Sequence, residues 1–238
     1  MYVEGAGGER AIIDTGPEFR LQALQVGITH LDAVFLTHAH ADHIHGLDDI
    51  RVLSREKSVP VYGNSPTINE FKKRFSYIFR TTQIGGGKPH VEPTVVDGPV
   101  ILGGLGFVPI SVKHGNITIL GWKIAETAVP DGITAKAGAV YLTDCSHIDE
   151  NAYALIAKDR PPLLAIIGGL RIRPHETHFS FEQAINAAIR MGVKQAYLTH
   201  ICHSHSHREI EDYCRDFAQK QGISATVMPA WDGLQLIL

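Results

Sequence analysis

The sequence predicts an α/β fold, in which β-sheets are covered by helices, and three observations support this prediction. Short apolar runs typical of buried strands alternate with helical patterns over much of the chain. The middle, roughly Val91 to Glu126, is instead rich in valine, isoleucine and glycine, which favours several antiparallel strands. The 238 residues can bury a substantial core, and we predict one domain over residues 1–238.

The first third of the chain predicts three strands and two helices. The strands are expected at Arg10 to Asp14, at Leu31 to Thr37 and at residues 59 to 63. From Ile44 to Leu53 apolar residues recur at intervals of three, which predicts a helix with one apolar face. Ser65 and Pro66 then predict the N-cap and the first position of a second helix.

The last third of the chain predicts strands that alternate with helices. Strands are expected at residues 139 to 143, 162 to 168 and 193 to 199, with a helix at 148 to 157. Ser180 and Gln183 form a capping-box pattern that opens another helix. A final helix is expected from about His207 to Gln221, where Gly222 stops it, and two closing strands flank residues 232 and 233.

Composition and charge restrict the partners of the protein. The longest apolar runs, such as Leu163 to Ile167, are far shorter than the ~18 residues that a membrane span needs. The first residues lack the pattern of a secretory signal, so we expect a cytoplasmic location and no membrane partner. A net charge of -3 gives no basic surface for a long nucleic acid. A small anionic substrate remains compatible with this charge.

Histidine is the residue type that stands out, at 14 of 238 residues, whereas the three cysteines lack the CxxC spacing of a thiolate zinc site. The run from His38 to His43 places three imidazoles and the carboxylate of Asp42 within six residues, directly after a predicted buried strand. Such a group cannot easily surround one metal ion, but two adjacent ions could share it. Further ligands are expected after other predicted strands, at His114, Asp144 and His200.

These residues give the sequence a specific resemblance. THAHADHIHGLDD, His114, Asp144 in YLTDCSH and His200 in YLTHICH together look like the metallo-β-lactamase superfamily, and its HxHxDH signature is present without departure. The resemblance extends from residue 12 to residue 236 and implies a four-layered αββα sandwich with the metal ions at one edge between two sheets. It implies two divalent ions (zinc, manganese or iron) and a metal-coordinated hydroxide as nucleophile. It assigns His38, His40 and His114 to one ion, Asp42, His43 and His200 to the other, and Asp144 to both.

Within the superfamily, the sequence is similar to the phosphodiesterase branch that includes the phosphoribosyl 1,2-cyclic phosphate enzyme. GLDDIRVL, HETHFSFEQA and PAWDGL carry this narrower resemblance. It implies that His178 donates a proton to the leaving oxygen or binds a nonbridging oxygen, and His178 and Asp42 are the predicted catalytic residues. Members of the branch usually begin with an extra Gly-rich hairpin, and we expect the fold to lack it because the sequence starts at the strand that follows.

The function expected from these patterns is a metal-dependent phosphodiesterase that acts on a small, cyclic phosphate ester. An alternative is a tRNA 3′-processing endonuclease, which shares most of these ligands but normally carries a long basic arm. Another alternative is a noncatalytic, metal-binding accessory protein, although such relatives usually have eroded ligands. The expected partner is a small phosphorylated substrate, and a homodimer is left open. Asp14 and Asp49 are expected to orient ligands or backbone.

Overall fold

The computed structural model describes residues 1–81, 87–127 and 138–238. The chain divides into two compact units, Met1–Leu105 and Gly106–Leu238. The α-helices, numbered α1 to α6, are Phe19–Val26, Ala41–Ile44, Ser65–Arg74, Glu150–Ala157, Phe181–Arg190 and His207–Gln221. The strands, numbered β1 to β12, are Tyr2–Glu4, Arg10–Ile13, Ala33–Phe35, Val59–Gly63, Val91–Val95, Val100–Leu102, Leu105–His114, Ile117–Glu126, Ala139–Leu142, Leu164–Gly168, Gln195–Thr199 and Thr226–Pro229.

The sheet of the first unit contains its first five strands in chain order. β1 and β2 are antiparallel, while β2, β3, β4 and β5 are parallel to one another. Ile13 pairs with Phe35, so the carboxyl ends of β2 and β3 lie side by side. The residues that follow these two strands, Asp14 and Thr37, are therefore neighbours in space.

The segment after the histidine-rich run is helical, as predicted, but mostly of the 3-10 type. α2 ends at Ile44, and a 3-10 helix continues it over His45–Val52. A 3-10 helix has three residues per turn, which is the interval between Ile44, Leu47 and Ile50. All three side chains are fully buried, so the 3-10 geometry directs them into the same core.

In the second unit, six strands lie in the order β12-β11-β10-β9-β8-β7. β9 to β12 are parallel, and β8 runs antiparallel to β9. Leu142 pairs with Ile167, which pairs with Leu198, so the carboxyl ends of β9, β10 and β11 meet at one edge. Asp144 and His200 follow β9 and β11 at this edge.

Helices pack on the second sheet through apolar faces that the sequence encodes. α5 begins with the predicted capping box of Ser180 and Gln183, and it buries Phe181, Ala184 and Ala188 in the core. α6 spans the predicted residues and ends at Gly222, whose φ of 64° is the left-handed conformation that glycine adopts without strain. No helix in the described part of the chain has the length and apolar character needed to cross a membrane.

Two elements of the structure were not predicted, and three local predictions differ from it. α1 and β1 were not predicted, because α1 buries only Phe19 and Ala23 and β1 has three residues. The cap of α3 is Asn64, whose side chain accepts from Thr67, rather than Ser65. β5 is parallel to β4 rather than part of an antiparallel group. Only β12 forms at the carboxyl end, since residues 230–238 contain no strand.

Candidate metal centre

Three of the predicted polar residues at strand ends have a left-handed backbone. Asp14, Asp144 and His200 have φ values of 59°, 52° and 54°, and each lies one or two residues beyond a strand. Aspartate and histidine tolerate this region better than most side chains, yet it still costs about 1–3 kcal/mol per residue. The tight turns direct these side chains back over the strand ends, and such strained positions concentrate at functional sites.

We call the four polar residues of the histidine-rich run in the first unit the amino-terminal cluster (His38, His40, Asp42 and His43). The carboxylate of Asp14 holds this cluster in place. Asp14 accepts hydrogen bonds from the Thr37 backbone N–H at 2.8 Å and the Thr37 hydroxyl at 2.7 Å. Its Oδ2 also lies 2.8 Å from Nδ1 of His43. A carboxylate oxygen accepts here, so Nδ1 of His43 donates to Asp14, and in the neutral ring Nε2 then presents its lone pair. The expectation that Asp14 orients a ligand is consistent with these contacts.

The same reasoning fixes the protonation of His38. The only hydroxyl proton of Thr37 is donated to Asp14, so the hydroxyl oxygen must accept from Nδ1 of His38, 3.0 Å away. Nε2 of His38 is then unprotonated, and it lies 2.9 Å from Nδ1 of His40. In their neutral forms, both anchored histidines of this cluster therefore offer Nε2 as an atom that can bind a metal ion.

The second unit holds a further group, the carboxy-terminal cluster (His114, Asp144, His178 and His200). His114, at the end of β7, donates from Nδ1 to the carbonyl oxygen of Thr177 at 2.7 Å. A carbonyl can only accept, so Nε2 of His114 presents its lone pair, 4.0 Å from Oδ2 of Asp144. Oδ1 of Asp144 accepts from the Thr143 hydroxyl at 2.7 Å and lies 3.2 Å from Nε2 of His200.

His178 lies among the other members of the carboxy-terminal cluster. Its Nδ1 is 4.0 Å from Oδ2 of Asp144, its ring is stacked on His200 at 5.0 Å, and its ring centroid is 4.7 Å from that of His114. Burial lowers the pKa of His178 to about 4, and nearby histidines act in the same direction against the opposing charge of Asp144. The neutral imidazole is therefore the prevailing form of His178 at neutral pH.

Pairs of donor atoms in each cluster have the spacing of ligands to a divalent metal ion. In the amino-terminal cluster, the unprotonated Nε2 of His43 is 3.3 Å from a carboxylate oxygen of Asp42. In the carboxy-terminal cluster, Nε2 of His114 also faces a carboxylate. When the rings are neutral, two lone pairs at such distances repel each other unless a cation lies between them, and Zn–N and Zn–O bonds of ~2.0–2.2 Å match this separation of ligands. Each unit thus brings its predicted metal ligands together.

Two supporting residues were not predicted from the sequence. Thr37 links Asp14 to His38, and Thr177 accepts from His114, 63 residues earlier in the chain. The position of Thr37 directly before the histidine motif was a usable signal, since ligand histidines commonly bind a neighbouring group through their second nitrogen. The role of Thr177 uses its backbone carbonyl, which every residue has, so its side chain gave no signal.

Comparison with known proteins gives matches over most of the chain. A family model described as the beta-lactamase superfamily domain matches residues 9–201. The crystal structure of a new diphosphatase from the PhnP family is 32% identical, covers 100% of this chain and 83% of that chain, and has a TM-score of 0.80. The metallo-beta-lactamase fold protein YhfI from Bacillus subtilis is 22% identical, covers 97% of this chain and 87% of that chain, and has a TM-score of 0.71. These matches confirm the predicted fold class.

A curated relative extends well beyond the matched region. The octanoyltransferase of Porphyromonas gingivalis is 35% identical over 199 residues, which are 82% of this chain. The matched segment covers only 37% of the length of that relative.

Proposed function

Because the chain belongs to the metallo-β-lactamase superfamily, we propose that it is a metal-dependent hydrolase and that it hydrolyses a small, cyclic phosphodiester. The observation that carries this proposal is His178, which lies against Asp144 and His200 but is not one of the superfamily's metal ligands. A residue in this place can contact a substrate oxygen while the other histidines bind metal. The similarity to a diphosphatase over the whole chain supports phosphate as the reacting group.

The second part of the proposal concerns which residues bind the metal ions. We propose two divalent ions (zinc, manganese or iron), with ligands His38, His40 and His114 for one, Asp42, His43 and His200 for the other, and Asp144 shared. Bound ions would supply Lewis acidity and lower the pKa of a water from about 15.7 towards about 7. The chain itself contributes the orientation of these ligands, since Asp14, Thr37 and Thr177 accept from Nδ1 of three histidines and leave Nε2 to face a metal ion.

The proposed catalytic residues differ in their surroundings. The side chain of His178 is 16% exposed, so its N–H can reach a substrate oxygen in a largely water-free environment, where a hydrogen bond is strong. The side chain of Asp42 is 59% exposed and lies 3.3 Å from Nε2 of His43. We propose that Asp42 acts in the reaction as a ligand that solvent and substrate can reach.

A substrate panel tests the proposed function. The protein is stripped of metal, reloaded with zinc or manganese, and assayed on a five-membered cyclic phosphodiester, bis-p-nitrophenyl phosphate, an organic diphosphate, a tRNA precursor and an octanoyl thioester. We expect metal-dependent cleavage of the cyclic phosphodiester, and about two ions per chain by elemental analysis. The stripped protein is the negative control.

Each other outcome rejects a defined part of the proposal. Cleavage of the diphosphate alone would reject a phosphodiester as the substrate. Cleavage of the thioester alone would reject phosphate as the reacting group. Cleavage of the tRNA precursor alone would favour the endonuclease alternative. Metal binding without any hydrolysis would favour the accessory-protein alternative. One ion per chain, unchanged in Asp144→Ala, would show that Asp144 is not shared.

A further inference from the structure

Thr177 contacts two histidines of the second unit through different atoms. Its carbonyl oxygen accepts from Nδ1 of His114 at 2.7 Å. Its backbone N–H and its hydroxyl both lie 3.3 Å from Nδ1 of His175. Thr177 therefore connects His114, a proposed metal ligand, to His175, which is not among the proposed ligands.

These contacts fix the proton on His175. A backbone N–H can only donate, so Nδ1 of His175 must be the acceptor and cannot carry a proton. The Thr177 hydroxyl can then donate to the same nitrogen. The neutral ring of His175 must consequently carry its proton on Nε2, which is the opposite of the arrangement at His114. A metal ligand needs Nε2 unprotonated, so the tautomer of His175 suits a hydrogen-bond donor instead.

The ring of His175 lies beside that of the proposed catalytic histidine. The ring centroids of His175 and His178 are 5.1 Å apart, and the ring planes are inclined by 54°. His175 is exposed, whereas His178 is mostly covered by its neighbours. A ligand that contacts His178 from solvent therefore lies within reach of the ring of His175.

Thr177 is itself held in place. A Cβ added at Gly115 would lie 2.8 Å from the Thr177 methyl carbon, so the turn after β7 packs closely against this side chain. The methyl group contacts the turn, while the hydroxyl contacts His175. Packing and hydrogen bonding at Thr177 can therefore be removed separately.

From this geometry we infer that His175 is a further substrate-binding residue, which donates from Nε2 to an anionic oxygen of the substrate beside His178, and that Thr177 is the positioning residue that holds it. The inference rests on the proposed function, because it names an additional contact to the same anionic substrate. A neutral N–H that donates to a charged oxygen makes a strong hydrogen bond. His175 thus extends substrate recognition from the buried ring of His178 to the surface.

Four variants separate these roles. His175→Ala removes the donor, and His175→Gln supplies a shorter N–H donor in its place. Thr177→Val removes the hydroxyl and keeps the shape, while Thr177→Ser keeps the hydroxyl and removes the methyl group. His90→Ala is the matched control, because His90 is also an exposed histidine but lies in the first unit. Metal content and kcat/KM are measured for each variant and for the double variant His175→Ala with Thr177→Val.

We expect His175→Ala to lower kcat/KM by about 10- to 100-fold, the range for one hydrogen bond to a charged group, with metal content unchanged. His175→Gln should recover part of the loss. Thr177→Val should lower kcat/KM by less than His175→Ala, because the backbone N–H still holds Nδ1, and Thr177→Ser, which keeps the hydroxyl, should lose less than Thr177→Val. In the background of His175→Ala, the Thr177→Val change should have almost no further effect.

Two results would overturn the inference. Activity of His175→Ala equal to that of His90→Ala would show that His175 is only an exposed polar residue. Additive losses in the double variant would show that Thr177 acts through His114 or packing rather than through His175. The double-mutant cycle of His175→Ala and Thr177→Val is run on whichever substrate of the panel is cleaved. A lack of activity on phosphodiesters would therefore reject the proposed function, while the cycle on the substrate that is cleaved still tests the role of His175.

A measurement without turnover checks the tautomer. The ¹⁵N chemical shifts of the neutral His175 ring should show a protonated Nε2 and an unprotonated Nδ1 in the metal-loaded protein. Titration with inorganic phosphate should shift Nε2 of His175 and leave the ring of His90 unchanged. A proton on Nδ1, or no response of His175 to phosphate that binds the protein, would contradict the assigned role.

Discussion

The Nδ1 atom of His43 lies 2.8 Å from Oδ2 of Asp14, although the two residues are 29 positions apart in the sequence. The parallel pairing of β2 and β3 brings them together, because it places Asp14 beside the end of the strand that precedes the histidine motif. The same carboxylate accepts two hydrogen bonds from Thr37, which in turn accepts from His38. One side chain outside the motif therefore sets the orientation of two of its histidines.

We predict that Asp14→Asn weakens metal binding by about 10- to 100-fold, the usual effect of removing a group that orients a ligand. The amide can still accept from Thr37, but its NH₂ group would then face Nδ1 of His43. That histidine would have to move its proton to Nε2, which blocks the metal-binding atom. Competition with a chromogenic chelator measures the affinity, with Asp97→Asn at an exposed carboxylate as the control. Equal metal affinity in the two variants would show that Asp14 does not orient the metal-binding residues.

We predict that Gly46→Ala destabilises the protein by about 1–3 kcal/mol or more, the cost of forcing extra volume into a packed region. An added Cβ would lie 2.2 Å from the carbonyl oxygen of Gly16 and 2.6 Å from Cβ of Phe19. Neither atom is the flexible end of a side chain, so the turn after β2 or the 3-10 helix must shift. Urea unfolding measures the change, and Gly98→Ala is the control because nothing lies within 4 Å of its added Cβ. Similar midpoints for both variants would contradict the prediction.

The sequence predicted the parts of the fold that depend on local patterns. The interval of three from Ile44 to Ile50 gave the apolar face of the helix, and the capping box at Ser180 gave the start of α5. The sequence did not reveal α1, since Leu21 and Leu24 are 62% and 73% exposed and no apolar face is apparent. Exposed leucines on one short helix cannot be distinguished from core residues without the tertiary packing.

In the candidate site too, some residues could be predicted from the sequence and others could not. The predicted ligand side chains are recognisable from motif and position, and each unit brings its own predicted ligands close together. The groups that orient them depend on strand register or use backbone atoms, as with Asp14 and with the carbonyl of Thr177. The tautomers of His38, His43 and His114 follow only when these partners are known.

We predict that one thiol reacts rapidly with Ellman's reagent in the native protein and that all three react after unfolding. Cys145 and Cys214 are fully buried, and burial raises the pKa of the Cys214 thiol to about 12, so almost none of it is thiolate. Cys202 is half-buried and should be the reactive residue. Cys202→Ser should abolish the fast phase. Rapid reaction of two or three thiols in the folded protein would show that the core of the second unit opens readily.

The last prediction concerns the way in which His178 acts. His178→Ala should keep its metal content and lower turnover on a phosphodiester by about 10²- to 10⁴-fold, because a contact to the reacting group is lost. The sequence left two roles open, proton donation to the leaving oxygen and binding of a nonbridging oxygen. Burial beside other histidines lowers the pKa of His178 to about 4, so the neutral ring has no acidic proton to give at neutral pH.

We therefore expect the loss in His178→Ala to be similar for a p-nitrophenyl ester, which needs little protonation of its leaving group, and for an alkyl ester, which needs much. Steady-state rates on both esters measure this, with His90→Ala as the control for removal of a histidine. A loss confined to the alkyl ester would show that His178 is a general acid, because only that leaving oxygen requires its proton. Loss of metal from the variant would instead show that His178 is a ligand or supports one. Full activity on both esters would remove the observation on which the phosphodiesterase proposal depends.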